Sequence, residues 1–206
     1  MMGRTHFAVG MAASLAVSLQ VMQPQNVSDC LIALAGGAVG GVLADADTID
    51  NDYNHDALIG QLLGFAVLVM VMAIDYFMKL GVCEYVIHNN TNTSIIAGIA
   101  FIILYIIGVA SEHRSFTHSL LAMLLFSFCF GLVVQRLGFF VLVGYASHLL
   151  LDLLNKKDVP LLYPRKKGIC FKVCYANKTA NTVFMFAGFI TTIGLLGYLL
   201  IPYVTK

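Results

Sequence analysis

The stretch IIAGIAFIILYIIGVA-SEHRSFTHS-LLAMLLFSFCFGLVV, residues 95–134, places a nine-residue polar island between two long apolar runs. The island, 111–119, carries two of the six histidines of the chain. Ionisable groups at the edge of a membrane span are costly to desolvate, so such a cluster indicates a functional site. The alternation of apolar runs with short polar segments indicates helices that cross a bilayer.

The composition favours the same class of protein. Of 206 residues, 59% are hydrophobic and only 11% are charged, and the mean hydropathy is +0.85. Such a chain cannot cover a soluble surface with polar groups, which excludes a soluble enzyme or binding module. The length predicts a single integral-membrane helical domain, 1–206, with no second globular domain.

Seven apolar runs follow one another along the chain. The first two are shorter than the about 20 residues that cross a hydrocarbon core, so we expect them to be short or partly inserted. Helices satisfy their backbone hydrogen bonds internally, so the predicted fold class is all-α, a polytopic membrane helix bundle of about seven helices. The spacing of the glycines in GGAVGG, 36–41, predicts close helix packing. The runs are 7–22, 30–44, 58–80, 95–110, 120–134, 139–154 and 183–201.

The distribution of basic residues predicts the orientation. Seven of the twelve lysines and arginines lie between the last two runs, and the positive-inside rule places that segment in the cytoplasm. Counting runs backward places the N-terminus in the cytoplasm too. The predicted cytoplasmic-side loops are 45–57, 111–118 and 155–181.

Histidines and aspartates gather at the cytoplasmic ends of four runs, where they can converge. Imidazoles and carboxylates are the donors that Zn²⁺ takes in catalytic sites, and Mn²⁺ or Fe²⁺ accept the same mixture. The sequence therefore predicts a site for a divalent metal, zinc first, with one or two ions. The candidate ligands are His6, Asp45, Asp47, His113, His118, His148 and Asp152.

Spacing constrains how these candidates are presented. His148 and Asp152 stand four apart and project from one helix face. The two aspartates that close the second run are two apart and fit an extended segment better than a helix. His113 and His118 are five apart and diverge on a regular helix, so either the island is partly a loop or these two histidines face different ions.

Less specific interpretations stay open for several of these residues. His6 near the N-terminus also fits a solvated interface residue, and His148 with Asp152 also fits a local hydrogen bond. Arg114 is either a side chain that reaches the interface or an anion clamp. The basic segment before the last run also serves as a topology determinant that attracts anionic lipid headgroups.

Five short motifs resemble, in order, those of the YdjM-type family over roughly residues 4–165. Members of that family are bacterial inner-membrane proteins regarded as metal-dependent hydrolases, with phospholipase activity suggested. The resemblance therefore implies a location in the bacterial inner membrane and a hydrolytic activity. Its motifs are TH at 5–6, DAD at 45–47, HRSFTHS at 113–119, SHLLLD at 147–152 and VPLLYP at 159–164.

These observations lead to one leading hypothesis and two alternatives. The first is a metal-dependent hydrolase of lipid phosphoesters, of phospholipase or lipid phosphatase type, at the cytoplasmic face. Arg114 would neutralise a phosphoryl oxygen, and Glu112 is the candidate base. A metal-ion or proton carrier using the same cluster, or a non-catalytic membrane protein, are the alternatives; ligands bunched at one face favour the enzyme. We expect the partner to be the lipid bilayer and not nucleic acid.

Overall fold

The computed structural model describes residues 2–24, 26–48, 55–165, 167–173 and 179–204. Within these ranges the chain forms eight α-helices and no strand beyond one isolated antiparallel bridge between Val159 and Ile169. The predicted all-α membrane helix bundle is confirmed. The helices are α1 Gly3–Val17, α2 Val27–Leu43, α3 His55–Met78, α4 Val82–Asn89, α5 Thr91–Val109, α6 Leu120–Val133, α7 Gln135–Leu153 and α8 Thr179–Val204.

Six helices in the described ranges are long and apolar enough to cross a membrane. The first two are longer than their apolar runs, because helical structure continues through their polar ends. Helix α1 begins at Gly3, before its apolar run, and a π-helical turn, Ser18–Met22, continues it to the end of the run; a 3₁₀ turn, Ala44–Thr48, follows α2. The resulting spans, Gly3–Met22 and Val27–Asp47, have 20 and 21 residues, so both reach the length of a complete crossing.

Helix α6 is the exception among the apolar helices. Its 14 residues correspond to about 21 Å of helix, less than the roughly 30 Å of a hydrocarbon core. The preceding island folds into the protein, where Phe116 to Ser119 are buried. Irregular backbone of this kind is tolerated at membrane depth only where protein covers it. Of the two alternatives for the island, the structure shows the one in which it is partly a loop.

Helix α2 lies at the centre of the bundle and packs against α1, α3 and α7. A Cβ atom on Gly36 would lie 2.6 Å from Cβ of Phe140 on α7, and one on Gly41 would lie 2.5 Å from the carbonyl oxygen of His6 on α1. These separations are shorter than any real Cβ contact, so the glycines allow backbones to approach directly. The predicted packing role of this glycine-rich segment is confirmed.

The helix ends that carry the candidate ligands meet at one end of the bundle. The start of α1 contacts the start of α3, where Gly3 lies against Gly60. The start of α8 joins them through Asn181, whose Oδ1 accepts hydrogen bonds from Met2 N at 3.0 Å and Thr5 Oγ1 at 2.8 Å. We call this the site end of the bundle.

The segment after α7 folds back across the site end. Phe171 N donates to the carbonyl oxygen of Leu153 at 2.7 Å, and Leu120 N donates to that of Leu161 at 3.0 Å. The structure shortens two of the predicted loops, because α3 begins at His55 and α8 begins at Thr179. Residues 49–54, 166 and 174–178 lie outside the described residues.

The contact between α2 and α7 leads to a stability prediction. Gly40→Ala places a methyl group onto the carbonyl oxygen of Val141, and overpacking of this kind costs about 1–3 kcal/mol. We expect a lower thermal midpoint in detergent, measured by loss of the monodisperse peak after heating. Gly194→Ala is the matched control, because a Cβ there meets no atom within 4 Å. Equal midpoints for both variants would contradict this account of the packing.

Candidate metal centre

Three histidines from different elements form the heart of the site. His6 lies on α1, His118 ends the island before α6, and His148 lies on α7, and none has any exposed surface. The rings of His6 and His148 stack with centroids 3.6 Å apart, and those of His118 and His148 meet edge to face at 5.3 Å. Within the part of the chain that the structure describes, the Nε2 atoms of all three rings make no hydrogen bond.

Two buried carboxylates surround these nitrogens. His6 Nε2 lies 3.3 Å from Asp152 Oδ1, and His118 Nε2 lies 3.4 Å from Asp152 Oδ2. Asp45 Oδ1 lies 3.7 Å from His148 Nε2 and 3.9 Å from His118 Nε2. Two donors on the same zinc ion lie roughly 3.3–4.2 Å apart, given bond lengths near 2.1 Å. The donor atoms are therefore spaced to hold a metal ion, in two overlapping groups: His6, His148 and Asp152; and Asp45, His118 and His148.

The second nitrogen of two of the rings is held from outside the cluster. His148 Nδ1 lies 2.8 Å from the carbonyl oxygen of Gly41, and His118 Nδ1 lies 3.2 Å from Asp47 Oδ2. In the neutral form of each ring, a hydrogen on Nδ1 leaves the lone pair on Nε2 available to bind a metal ion. Metal-binding histidines are oriented in this way by their outer partners.

Asp47 holds the polar island as well as the ring of His118. Its Oδ2 accepts from Arg114 N at 2.8 Å and from Thr117 Oγ1 at 2.7 Å, and its Oδ1 lies 3.1 Å from His113 Nδ1. The expectation of an extended segment here is wrong, because residues 44–48 form a 3₁₀ turn. In a turn of three residues, positions two apart point in different directions. Asp45 therefore faces the cluster while Asp47 faces the island.

Arg114 lies over the cluster and links it to the segment after α7. Its Nη2 lies 3.0 Å from Asp152 Oδ2, and its Nη1 donates to the carbonyl oxygen of Lys157 at 3.0 Å. The side chain is only 12% exposed. Its backbone has φ of 60°, a left-handed conformation that costs a non-glycine residue about 1–3 kcal/mol. The bond from its N–H to Asp47 helps to hold it there.

Two predicted site residues lie outside the buried set. The side chain of His113 is 39% exposed and contacts Asp47, with its ring edge to face with His118 at 5.6 Å. Glu112 is exposed, and its backbone carbonyl oxygen accepts from Ser115 Oγ at 2.5 Å. The structure thus brings six of the nine predicted residues together in or around the cluster as buried side chains, with Arg114 at its cover.

The electrostatics of the cluster favour a cation. The carboxylates of Asp45, Asp47 and Asp152 are all buried here, and the guanidinium of Arg114 pairs with the carboxylate of Asp152. Burial alone lowers the pKa of His118, but the carboxylates of Asp152 and Asp47 outweigh burial and raise that pKa to about 9. At His118, therefore, the two carboxylates favour positive charge more strongly than burial opposes it.

Sequence reasoning missed the residues that support Asp45. Gln61 on α3 donates from Nε2 to the carbonyl oxygen of Asp45 at 2.7 Å, and Tyr105 on α5 donates from its hydroxyl to Gln61 Oε1 at 3.0 Å. The sequence did carry one sign of these residues, because each is a polar side chain inside an apolar run: Gln61 lies in the third run and Tyr105 in the fourth. Which residue each one contacts depends on the packing of α3 against α5.

Comparison with known proteins adds one finding. A family model described as YdjM inner membrane protein matches residues 1–205. No curated protein and no solved structure matches the chain.

The contacts of Asp47 lead to a prediction about its role. Asp47→Asn removes the charge that orients His118, and loss of such an outer partner lowers metal affinity about 10–100-fold. We expect weaker binding in chelator competition on detergent-purified protein, with the ion still bound at saturation. Asp56→Asn is the control, since Asp56 pairs with the exposed Arg4 at the same end. An Asp47→Asn protein that stays folded but binds no ion at saturation would make Asp47 a direct ligand instead.

Proposed function

The chain belongs to the YdjM inner membrane protein family, and we propose that it is a metal-dependent hydrolase of lipid phosphoesters. The convergence of three buried imidazole Nε2 atoms and two carboxylates at the site end carries this proposal. The three Nε2 atoms have no hydrogen-bond partner among the described residues, and a buried polar atom in that state costs about 1–3 kcal/mol. A bound cation would satisfy all three nitrogens together.

The donor set favours one ion. His148 offers only Nε2, because its Nδ1 is engaged by the carbonyl oxygen of Gly41. The two groups of potential ligands share His148, so they serve a single ion better than two. His6, His118 and His148 would hold it together with Asp45 and Asp152. Three imidazoles with carboxylates suit zinc best, and Mn²⁺ or Fe²⁺ are the other candidates.

Each part of the site then has a chemical role. When bound, a divalent ion of this kind acidifies a water molecule and polarises the bond to be cleaved. Asp47 and the carbonyl oxygen of Gly41 keep the imidazoles oriented. Arg114 binds an anionic oxygen of the substrate, since its guanidinium lies at the cover of the cluster and its Nε is buried without a partner among the described residues. Glu112, whose side chain is exposed, stays the candidate base.

A membrane lipid is the substrate class that fits the surroundings of the site. The segment after α7 presents exposed basic side chains, including Arg165, Lys167 and Lys172, next to exposed apolar ones. Among the latter, Leu162 is 56% and Phe171 is 60% exposed. Such a mixture suits the headgroup layer of a bilayer that contains anionic lipid. A phospholipase or a lipid phosphatase activity would both use this arrangement.

The same segment supports the predicted orientation. It folds over the site end, so the basic residues and the cluster lie on one side of the membrane. The positive-inside rule would place that side in the cytoplasm, with the N-terminus.

A metal-ion carrier is the second candidate, because complete burial of the three histidines also suits an ion that is occluded during transport. Carriers generally bind their ion near the membrane midplane. Here His6 lies in the first turn of α1 and Asp152 in the last turn of α7. Ion flux into proteoliposomes, measured beside lipid turnover, distinguishes the two candidates.

The first test of the proposal is metal content. Elemental mass spectrometry on detergent-purified protein should find close to one equivalent of a divalent metal in the wild type, and a loss of it in His118→Ala and His148→Ala. His88→Ala is the control, because His88 is exposed on α4. A wild type that stays metal-free after supplementation, or folded variants that keep the ion, would remove the basis of the proposal.

The second test separates hydrolysis from metal binding. Arg114→Gln should retain the ion and lose about 10²–10³-fold in turnover of a phospholipid in vesicles, the usual cost of removing one electrostatic group that stabilises a transition state. Arg136→Gln is the control, since Arg136 pairs with Asp29 at the other end of the bundle. If wild type turns over no lipid phosphoester yet transports its metal, the carrier replaces the hydrolase.

A further inference from the structure

A cavity of about 230 Å³ opens between α3, α5 and α6. Its lining is apolar, with the rings of Phe65, Phe101 and Phe130 on its walls and Gly98 leaving open space. We call it the α3–α5–α6 groove. The helices around it face outward: in the most apolar stretches of α3 and α5, only 22% and 11% of the residues are buried. The groove is therefore open to the hydrocarbon around the bundle.

The groove lies about halfway across the membrane from the site end. On α5, Phe101 and Gly98 are eight and eleven residues before Val109, the last residue of that helix. At 1.5 Å per residue these positions are roughly 12 and 16 Å from the site end. Half of a hydrocarbon core is about 15 Å. An acyl chain whose headgroup lies at the site end therefore reaches this depth.

A continuous series of contacts joins the groove to the metal centre. Phe101 stacks on Tyr105 with ring centroids 5.9 Å apart. The hydroxyl of Tyr105 donates to Gln61, and Gln61 donates to the carbonyl oxygen of Asp45. Gln61 also stands one helical turn before Phe65, on the side toward the site. The residues between the groove and the site, Tyr105 and Gln61, thus also support the candidate metal ligand Asp45.

We propose that the α3–α5–α6 groove holds the distal part of one acyl chain of a phospholipid whose headgroup lies at the metal centre. This inference rests on the proposed function, because it names the substrate as a lipid with a long chain. Water would find no hydrogen-bonding partner in such a lining, whereas hydrocarbon gains the packing contacts that an empty groove lacks. The groove would thereby select substrates by chain length.

Labelling with a photoactivatable lipid tests this directly and needs no turnover. The full chain is reconstituted into vesicles with a phosphatidylglycerol that carries a diazirine near the end of one acyl chain, and labelled peptides are mapped. We expect preferential labelling around Cys129 and Phe130 in the wild type. Gly98→Leu should abolish that preference, because the new side chain enters the groove and its Cβ meets no atom within 4 Å.

Gly194→Leu on α8 is the matched control, since Cβ there also meets open space. It should leave the labelling unchanged. Arg114→Gln should reduce groove labelling as well, because the headgroup is then held less firmly at the site.

Three results would overturn the inference. One is wild-type labelling at Cys129 and Phe130 no stronger than on the exposed face of α8. Another is labelling in Gly98→Leu equal to that in Gly194→Leu. A third is a dimer in wild type that Gly98→Leu disrupts, which would make a second copy the occupant. A different result would count against the hydrolase alone. In that case the wild type labels in the groove and Arg114→Gln weakens this labelling, but no lipid is turned over.

Discussion

The close approach of α2 to its neighbours is the constraint on which the candidate metal centre depends. Glycines let the backbone of α2 touch both α1 and α7. That contact brings the carbonyl oxygen of Gly41 within 2.8 Å of His148 Nδ1, and it also lets the rings of His6 and His148 stack at 3.6 Å. A larger residue on α2 would separate the helices and misplace donors from two of them. In a bilayer, where lipid is as apolar as the helix surface, such packing is a main source of helix association.

The polar island depends on a second constraint, the charge of Asp47. Irregular backbone at residues 110–119 separates α5 from α6, and it could not lie at membrane depth without polar partners. Asp47 supplies them by accepting from Arg114 N and Thr117 Oγ1, and Tyr145 adds a hydrogen bond from its hydroxyl to the carbonyl oxygen of Thr117. The fold of the island and the orientation of His118 are therefore set by the same side chain.

The sequence was sufficient for the fold class and for the members of the cluster, because the physical signal was strong. A histidine or aspartate next to an apolar run is costly, and His148 with Asp152 keeps helical spacing. The distinct roles of Asp45 and Asp47 could not be predicted, since they depend on a 3₁₀ turn that two residues do not encode. Likewise, the support from Gln61 depends on how α3 packs against α5. The sequence therefore predicted which residues share a face of one helix, but it did not predict which residues of different helices are in contact.

The shortness of α6 has the same origin. By composition the fifth run looked like the others, and nothing local indicated that residues 116–119 would be buried inside the protein. Tertiary contacts with α7 and with the segment after it hold them there. The result places His118 deeper than a surface loop would, within reach of ligands on two other helices.

Under the proposed function, the position of Arg114 would connect metal binding to substrate binding. Without a cation, the guanidinium is the nearest fixed positive charge to Asp152, at 3.0 Å, and a buried carboxylate that lost such a partner would be strongly destabilised. If the site holds a divalent ion as proposed, that ion would take over this compensation and free part of the guanidinium for another anion. By linkage, an anion on Arg114 would then strengthen the binding of the metal to the same degree. Binding of the metal and binding of the phosphoester would thus each strengthen the other, at a centre where Arg114 otherwise pairs with Asp152.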